Sequence, residues 1–124
     1  MDLITVLGAM ALAYGAMLVI YYRSCSTEKH QKTSDLMLKG IRSMRHGNLD
    51  KALIYFNKAY EYCMETDNIE ETAEALYNIG LIYKEKDDIE NAIKYLKSAD
   101  EIYYQLRDMD GKQKVKSAII SIRS

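Results

Sequence analysis

The side chains able to do chemistry are few and scattered. His30 and His46 stand far apart, with no carboxylate or cysteine at the spacing a metal ion requires, and are expected to be solvated. Cys25 and Cys63 form no close pair and are expected as free thiols. Cys25 follows the apolar run closely enough to accept an acyl chain, or it is an ordinary juxtamembrane cysteine. Glu70, Glu71 and Glu74 cluster, but carboxylates gather in the first turn of a helix because its dipole favours them there. No glycine-rich loop leads into a lysine, so no phosphate cradle is signalled. The 11 tyrosines alternate with acidic residues and not with a basic stripe, which speaks against nucleic acid. With 17 basic and 18 acidic side chains, bulk charge names no partner. The expectation is a non-enzyme with no catalytic residue, no metal ligand and no cofactor, whose function lies in its surface.

Surfaces are set by the elements that carry them, and here those are helices. The chain has no proline, only 6 glycines and 28% charged residues, which suits an all-α protein with short turns. One stretch stands apart: LITVLGAMALAYGAMLVIYY, residues 3–22, carries no charge. At about 1.5 Å per residue it is ~30 Å long, the hydrocarbon thickness of a bilayer. A cleaved signal peptide is the competing reading, but the run has no basic residue before it and ends in two tyrosines and an arginine. Residues 1–22 are therefore expected as a single transmembrane anchor. Arg23, Lys29 and Lys32 follow it, so the C-terminal side should face the cytoplasm. Gly8, Ala11 and Gly15 share one face of the span, either a helix-pairing stripe or the ordinary frequency of small residues in spans. RSCSTEKHQKT, residues 23–33, is polar and aperiodic and is expected as a tether.

Beyond it the sequence repeats. HGNLDKALIYFNKA at 46–59 returns as KDDIENAIKYLKSA at 86–99. Ala52, Phe56 and Ala59 match Ala92, Leu96 and Ala99, forty residues on, and each copy carries one apolar stripe of helical spacing. Asn48 should cap the first of these helices, and Asp87 with Glu90 should box the start of the second. Each is preceded by another helix, at 34–45 and 71–86, the latter opened by Asn68 with Glu71. Gly40 and Gly80 sit at matching places, where close helix crossing is the expected reason for a glycine.

These residues resemble the tetratricopeptide repeat family. The second copy carries the pattern as Leu76, Ile79, Gly80, Tyr83, Ala92, Leu96 and Ala99. The first carries Leu36, Gly40, Ala52, Phe56 and Ala59, but Lys39 and Ser43 stand where a leucine-like residue and a tyrosine belong, which suggests a rotated or partly exposed helix. The resemblance covers about residues 33–124, as repeats at about 33–72 and 73–112. Its period of forty exceeds the usual 34, with the surplus expected in longer second helices. In DGKQKVKSAIISIRS, Val115, Ala118, Ile119 and Ile122 form one apolar face, expected as a capping helix over about 111–123. The fold class is thus all-α: one transmembrane helix, two helical hairpins and a cap.

The resemblance implies a groove lined by the first helix of each hairpin. It would present Met37, Ile41, Met44 and Arg45, then Tyr77, Leu81, Lys84 and Glu85, with Lys114 and Ser117 from the cap. Met37 and Ile41 suit either groove or core. The carboxylate clamp of chaperone-binding members is not supported, because only Asn78 and Lys114 agree with it. The expected function is a membrane-anchored adaptor that binds a protein or peptide, with no nucleic acid. The alternative is a structural subunit or assembly factor of a membrane complex, self-associating or docked on a larger chain.

Overall fold

The computed structural model describes residues 2–123, the side chain of Ser26 excepted. Five helices follow in order: α1 (Leu3–Arg45), α2 (Leu49–Glu65), α3 (Ile69–Glu85), α4 (Ile89–Gln105) and α5 (Met109–Arg123). From α2 to α5 successive helices begin twenty residues apart, and α2, α3 and α4 are all 17 residues long. The surplus over the usual repeat is therefore shared between both helices of a hairpin and is not confined to the second.

One turn, used four times, sets this period. Gly47, Asp67, Asp87 and Arg107 take the left-handed conformation, with φ of 76°, 53°, 59° and 56°. The next residue closes the helix behind it and opens the one ahead. The N–H groups of Asn48, Asn68, Asp88 and Asp108 donate back to the carbonyls of Ser43, Cys63, Tyr83 and Tyr103. Their side-chain oxygens accept from the N–H groups of Lys51, Glu71, Asn91 and Gly111 at 3.0–3.2 Å. Asn48 and Asn68 are caps as expected. The box expected at Asp87 and Glu90 lies one residue on: Asp88 caps α4, and Asp87 supplies the left-handed bend.

Close crossing explains two glycines. A methyl group on Gly40 would stand 2.8 Å from the Phe56 ring, and one on Gly80 would stand 2.8 Å from Leu96 and 3.3 Å from the Ala92 carbonyl. The two hairpins thus share one register, so α1 is not rotated. Lys39 departs from the pattern for another reason. It occupies the place of Ile79, which faces α2 from the far side, but on α1 no described helix packs over that place. Lys39 is instead exposed and pairs with Asp35 at 2.9 Å.

Residues 23–33 are not an irregular tether. They are helical, and α1 runs through them unbroken. Thr33 is fully buried at the place of Ala73, and its hydroxyl donates to the Lys29 carbonyl at 2.9 Å. Lys29 pairs with Glu65 at 3.4 Å, and His30 lies 3.2 Å from the Asn68 amide. The contacts of α1 with the other helices therefore reach back to about residue 29.

The core has two parts. Phe56 and Ile79 centre one, between α1, α2 and α3; Leu96, Tyr103 and Val115 centre the other, between α3, α4 and α5. The packing surface changes at α5. On α3, Ala73, Leu76, Gly80 and Tyr83 receive α4. The same places on α5 are Gln113, Lys116, Ile120 and Arg123, all exposed. The apolar half of α1 buries nothing against the repeats. By length and composition it can cross a membrane or act as a signal sequence.

Candidate protein-binding groove

Helices α3 and α5 run side by side, because each packs on α4 and its alternating turns return the chain in the same direction. Between them lies a shallow concavity of about 510 Å³. Tyr77, Leu81 and Lys84 line one wall, and Lys114, Ser117 and Ser121 the other. The Lys114 ammonium sits 4.5 Å over the Tyr77 ring, a cation–π contact that orients both side chains. Burial raises the Tyr77 phenol above its ordinary range, so it stays neutral and can offer a hydrogen bond at the edge of an apolar surface.

The α1 residues are not drawn into this concavity. Met37 is 7% exposed and belongs to the core with Phe56, Ala59 and Ile79. Its unbranched chain can lie down into the space beside the close Gly40 crossing, which a tyrosine could not do. Ile41 and Met44 pack partly buried against the same cluster. Arg45 and Glu85 are exposed at the ends of α1 and α3. The geometry thus gathers Tyr77, Leu81, Lys84 and Lys114 into one surface and removes Met37 from it.

Asn78 cannot serve a carboxylate clamp: it is 8% exposed, and its amide donates to the Glu74 carbonyl at 3.0 Å. Cys63 is buried, and burial followed by the Glu71 charge pushes its thiol up to about 11, far from the range of a reactive thiolate. Among the described residues no three metal-binding side chains come together.

A second cavity, also about 510 Å³, was not legible in the sequence. Glu70, Glu71 and Glu74 of α3 face Tyr103 at the end of α4, with Asp108 and Lys114 completing the ring. Burial, then Glu74 and Asp108, push the Tyr103 phenol up to about 12. The ring of Tyr103 lies so close over Gly111 that a methyl group there would stand 2.3 Å from it. Its signals in the sequence were the cluster of Glu70, Glu71 and Glu74, which a helix start already explains, and a glycine in the first turn of α5, where helix propensity gives no reason for one.

A family model described as tetratricopeptide repeat matches residues 40–105, from the Gly40 crossing to the end of α4. Neither a curated protein nor a solved structure matches the chain.

Proposed function

We propose, from the premise that this chain belongs to the tetratricopeptide repeat family and that such repeats act through protein–protein interaction, that it is a membrane-anchored adaptor. The apolar half of α1 fixes it in a bilayer, and the concavity between α3 and α5 receives a segment of another protein on the cytoplasmic side. The observation that carries this reading is the surface of Tyr77, Leu81, Lys84 and Lys114, an apolar strip with Lys84 toward one end and Lys114, with Asp110 one turn before it, toward the other. Such a strip suits an amphipathic helix or extended peptide with acidic flanks. The anchor rests on the charge-free run of residues 3–22, which lies wholly exposed. Cytoplasmic orientation rests on Arg23, Lys29 and Lys32.

The test uses the full chain in detergent as bait for membrane extracts, beside a Tyr77→Ala/Leu81→Glu variant. Bound partners should fall by about tenfold or more, as when an interface anchor is removed. The unfolding midpoint should change little, since both side chains are partly solvated. Indifference of every partner to both substitutions would remove the groove. Protease accessibility of the repeats in sealed membranes checks the orientation separately.

A further inference from the structure

The acidic cavity beside the groove has a feature that its carboxylates do not explain. Glu70 and Glu71 belong to the first turn of α3, where the helix dipole accounts for them without a ligand. Tyr103 has no such account. Its side chain is 5% exposed, yet among the described residues none hydrogen-bonds its hydroxyl. A tyrosine buried to this degree ordinarily finds a partner for its hydroxyl. The surface it retains belongs to the cavity, so its hydroxyl is reached from there, by water or by a donor that displaces water.

The lining selects the partner's charge. Four carboxylates, Glu70, Glu71, Glu74 and Asp108, stand against the single ammonium of Lys114. Among the described residues Glu70, Glu74 and Asp108 have no cationic side chain within ion-pair distance, and Glu71 has only the His30 ring at 3.9 Å. An anion would be repelled. An ammonium or guanidinium would donate both to the carboxylates and to the phenol oxygen, and phenol burial keeps that group neutral.

The position selects the partner's source. A smaller trough adjoins the cavity, sharing Glu70 and Leu106 with it, and His30 of α1 lines its far side. His30 lies eight residues beyond Tyr22 on one unbroken helix, so the trough that adjoins the cavity starts ~12 Å from the end of the apolar run. At that level on the cytoplasmic side, other proteins of the membrane carry their lysines and arginines.

We infer that this cavity takes the Lys- and Arg-rich flank of a transmembrane helix in another protein of the same membrane, one cation seated between the Tyr103 hydroxyl and the carboxylates of Glu74 and Asp108. The inference rests on the membrane-anchored adaptor reading and names the chemistry of the partner at its membrane end. An apolar segment beyond that flank would continue into the strip of Tyr77 and Leu81, since Lys114 borders both concavities.

The experiment uses the full chain in nanodiscs of phosphatidylcholine and a fluorescent Lys/Arg-rich peptide, with a control peptide carrying glutamine at the basic positions. Binding is read by anisotropy. The basic peptide should bind, and the control should not. Glu70→Gln/Glu74→Gln should weaken binding by about tenfold. Tyr103→Phe, which keeps the ring over Gly111, should weaken it about fivefold with an unchanged unfolding midpoint. Equal binding of both peptides overturns the inference, as does binding of the basic peptide that is indifferent to Tyr103→Phe and to the double variant. The two readings fail separately. Loss of partners with Leu81→Glu, alongside no binding of the basic peptide, keeps the groove and removes the cation site. Tyr103-dependent binding of the peptide, alongside partners indifferent to Leu81→Glu, does the reverse.

Discussion

The junction of α2 with α3 and the junction of α4 with α5 use the same turn forty residues apart, and they fill it in opposite ways. At the first, α2 offers the small Cys63 and α3 the long Glu71, with the thiol 3.9 Å from the carboxylate. At the second, α4 offers the large Tyr103 and α5 offers Gly111, which lies directly beneath the ring. Bulk has moved from one helix to its neighbour while the backbone between them is unchanged. The difference teaches that the turn fixes the crossing and that side chains then fill whatever space it leaves. It also shows what the exchange produces, because only the second arrangement places a phenol at the mouth of an acidic cavity.

The comparison can be broken most severely at Gly111. Gly111→Ala should cost about 3 kcal/mol, because the atoms it meets are the inner ring carbons of Tyr103 and not a movable tip. Adding Tyr103→Cys, which puts at this place the small residue that Cys63 supplies at the first junction, should recover part of that loss. Additive losses in urea unfolding of the full chain would show that the two residues do not share one space.

Alkaline pH tests the two junctions together. Burial raises both acids: Cys63 from 9.0 to about 11, and Tyr103 from 10.0 to about 12. The folded state holds protons that the unfolded chain releases, so the contribution is fully present below pH 9. It is lost as pH rises, between about 9 and 11 for Cys63 and between about 10 and 12 for Tyr103. Unfolding midpoints should therefore fall across this range, and Cys63→Ala should flatten the earlier part of the decline.

The smallest effect lies in the turns themselves. Asp67 and Arg107 adopt a left-handed conformation that glycine takes at no steric cost, as Gly47 does in the first turn. Asp67→Gly and Arg107→Gly should each stabilise by up to about 1 kcal/mol, with arginine the larger gain, since aspartate tolerates this conformation better. A thermal shift of a few degrees upward would register it. Equal or negative shifts would mean that these side chains do more in the turn than bend it.

The sequence disclosed what repeats in type and hid what repeats only in geometry. Ala52 with Ala92 and Gly40 with Gly80 keep their chemistry, so the hairpins and their close crossings were legible. The turn that recurs every twenty residues was not, because its left-handed position is filled by Gly47, Asp67, Asp87 and Arg107, three residue types with one backbone shape. How far back α1 packs was hidden by Thr33, a polar residue that satisfies its hydroxyl on its own helix and so takes an alanine's place. Met37 was ambiguous because spacing gives a residue's angle on the helix but not how far its side chain bends inward. The acidic cavity joins residues from α3, α4 and α5, and no local pattern announces such a meeting.

The unbroken course of α1 also fixes an angle. At 3.6 residues per turn, Gly8 and Met44 stand ten whole turns apart, and Gly15 and Thr33 stand five. The small-residue side of the apolar half is therefore in phase with the side on which α2 packs. With no hinge between them, α1 works as a camshaft: whatever sets the rotation of its first half sets the compass bearing of the groove.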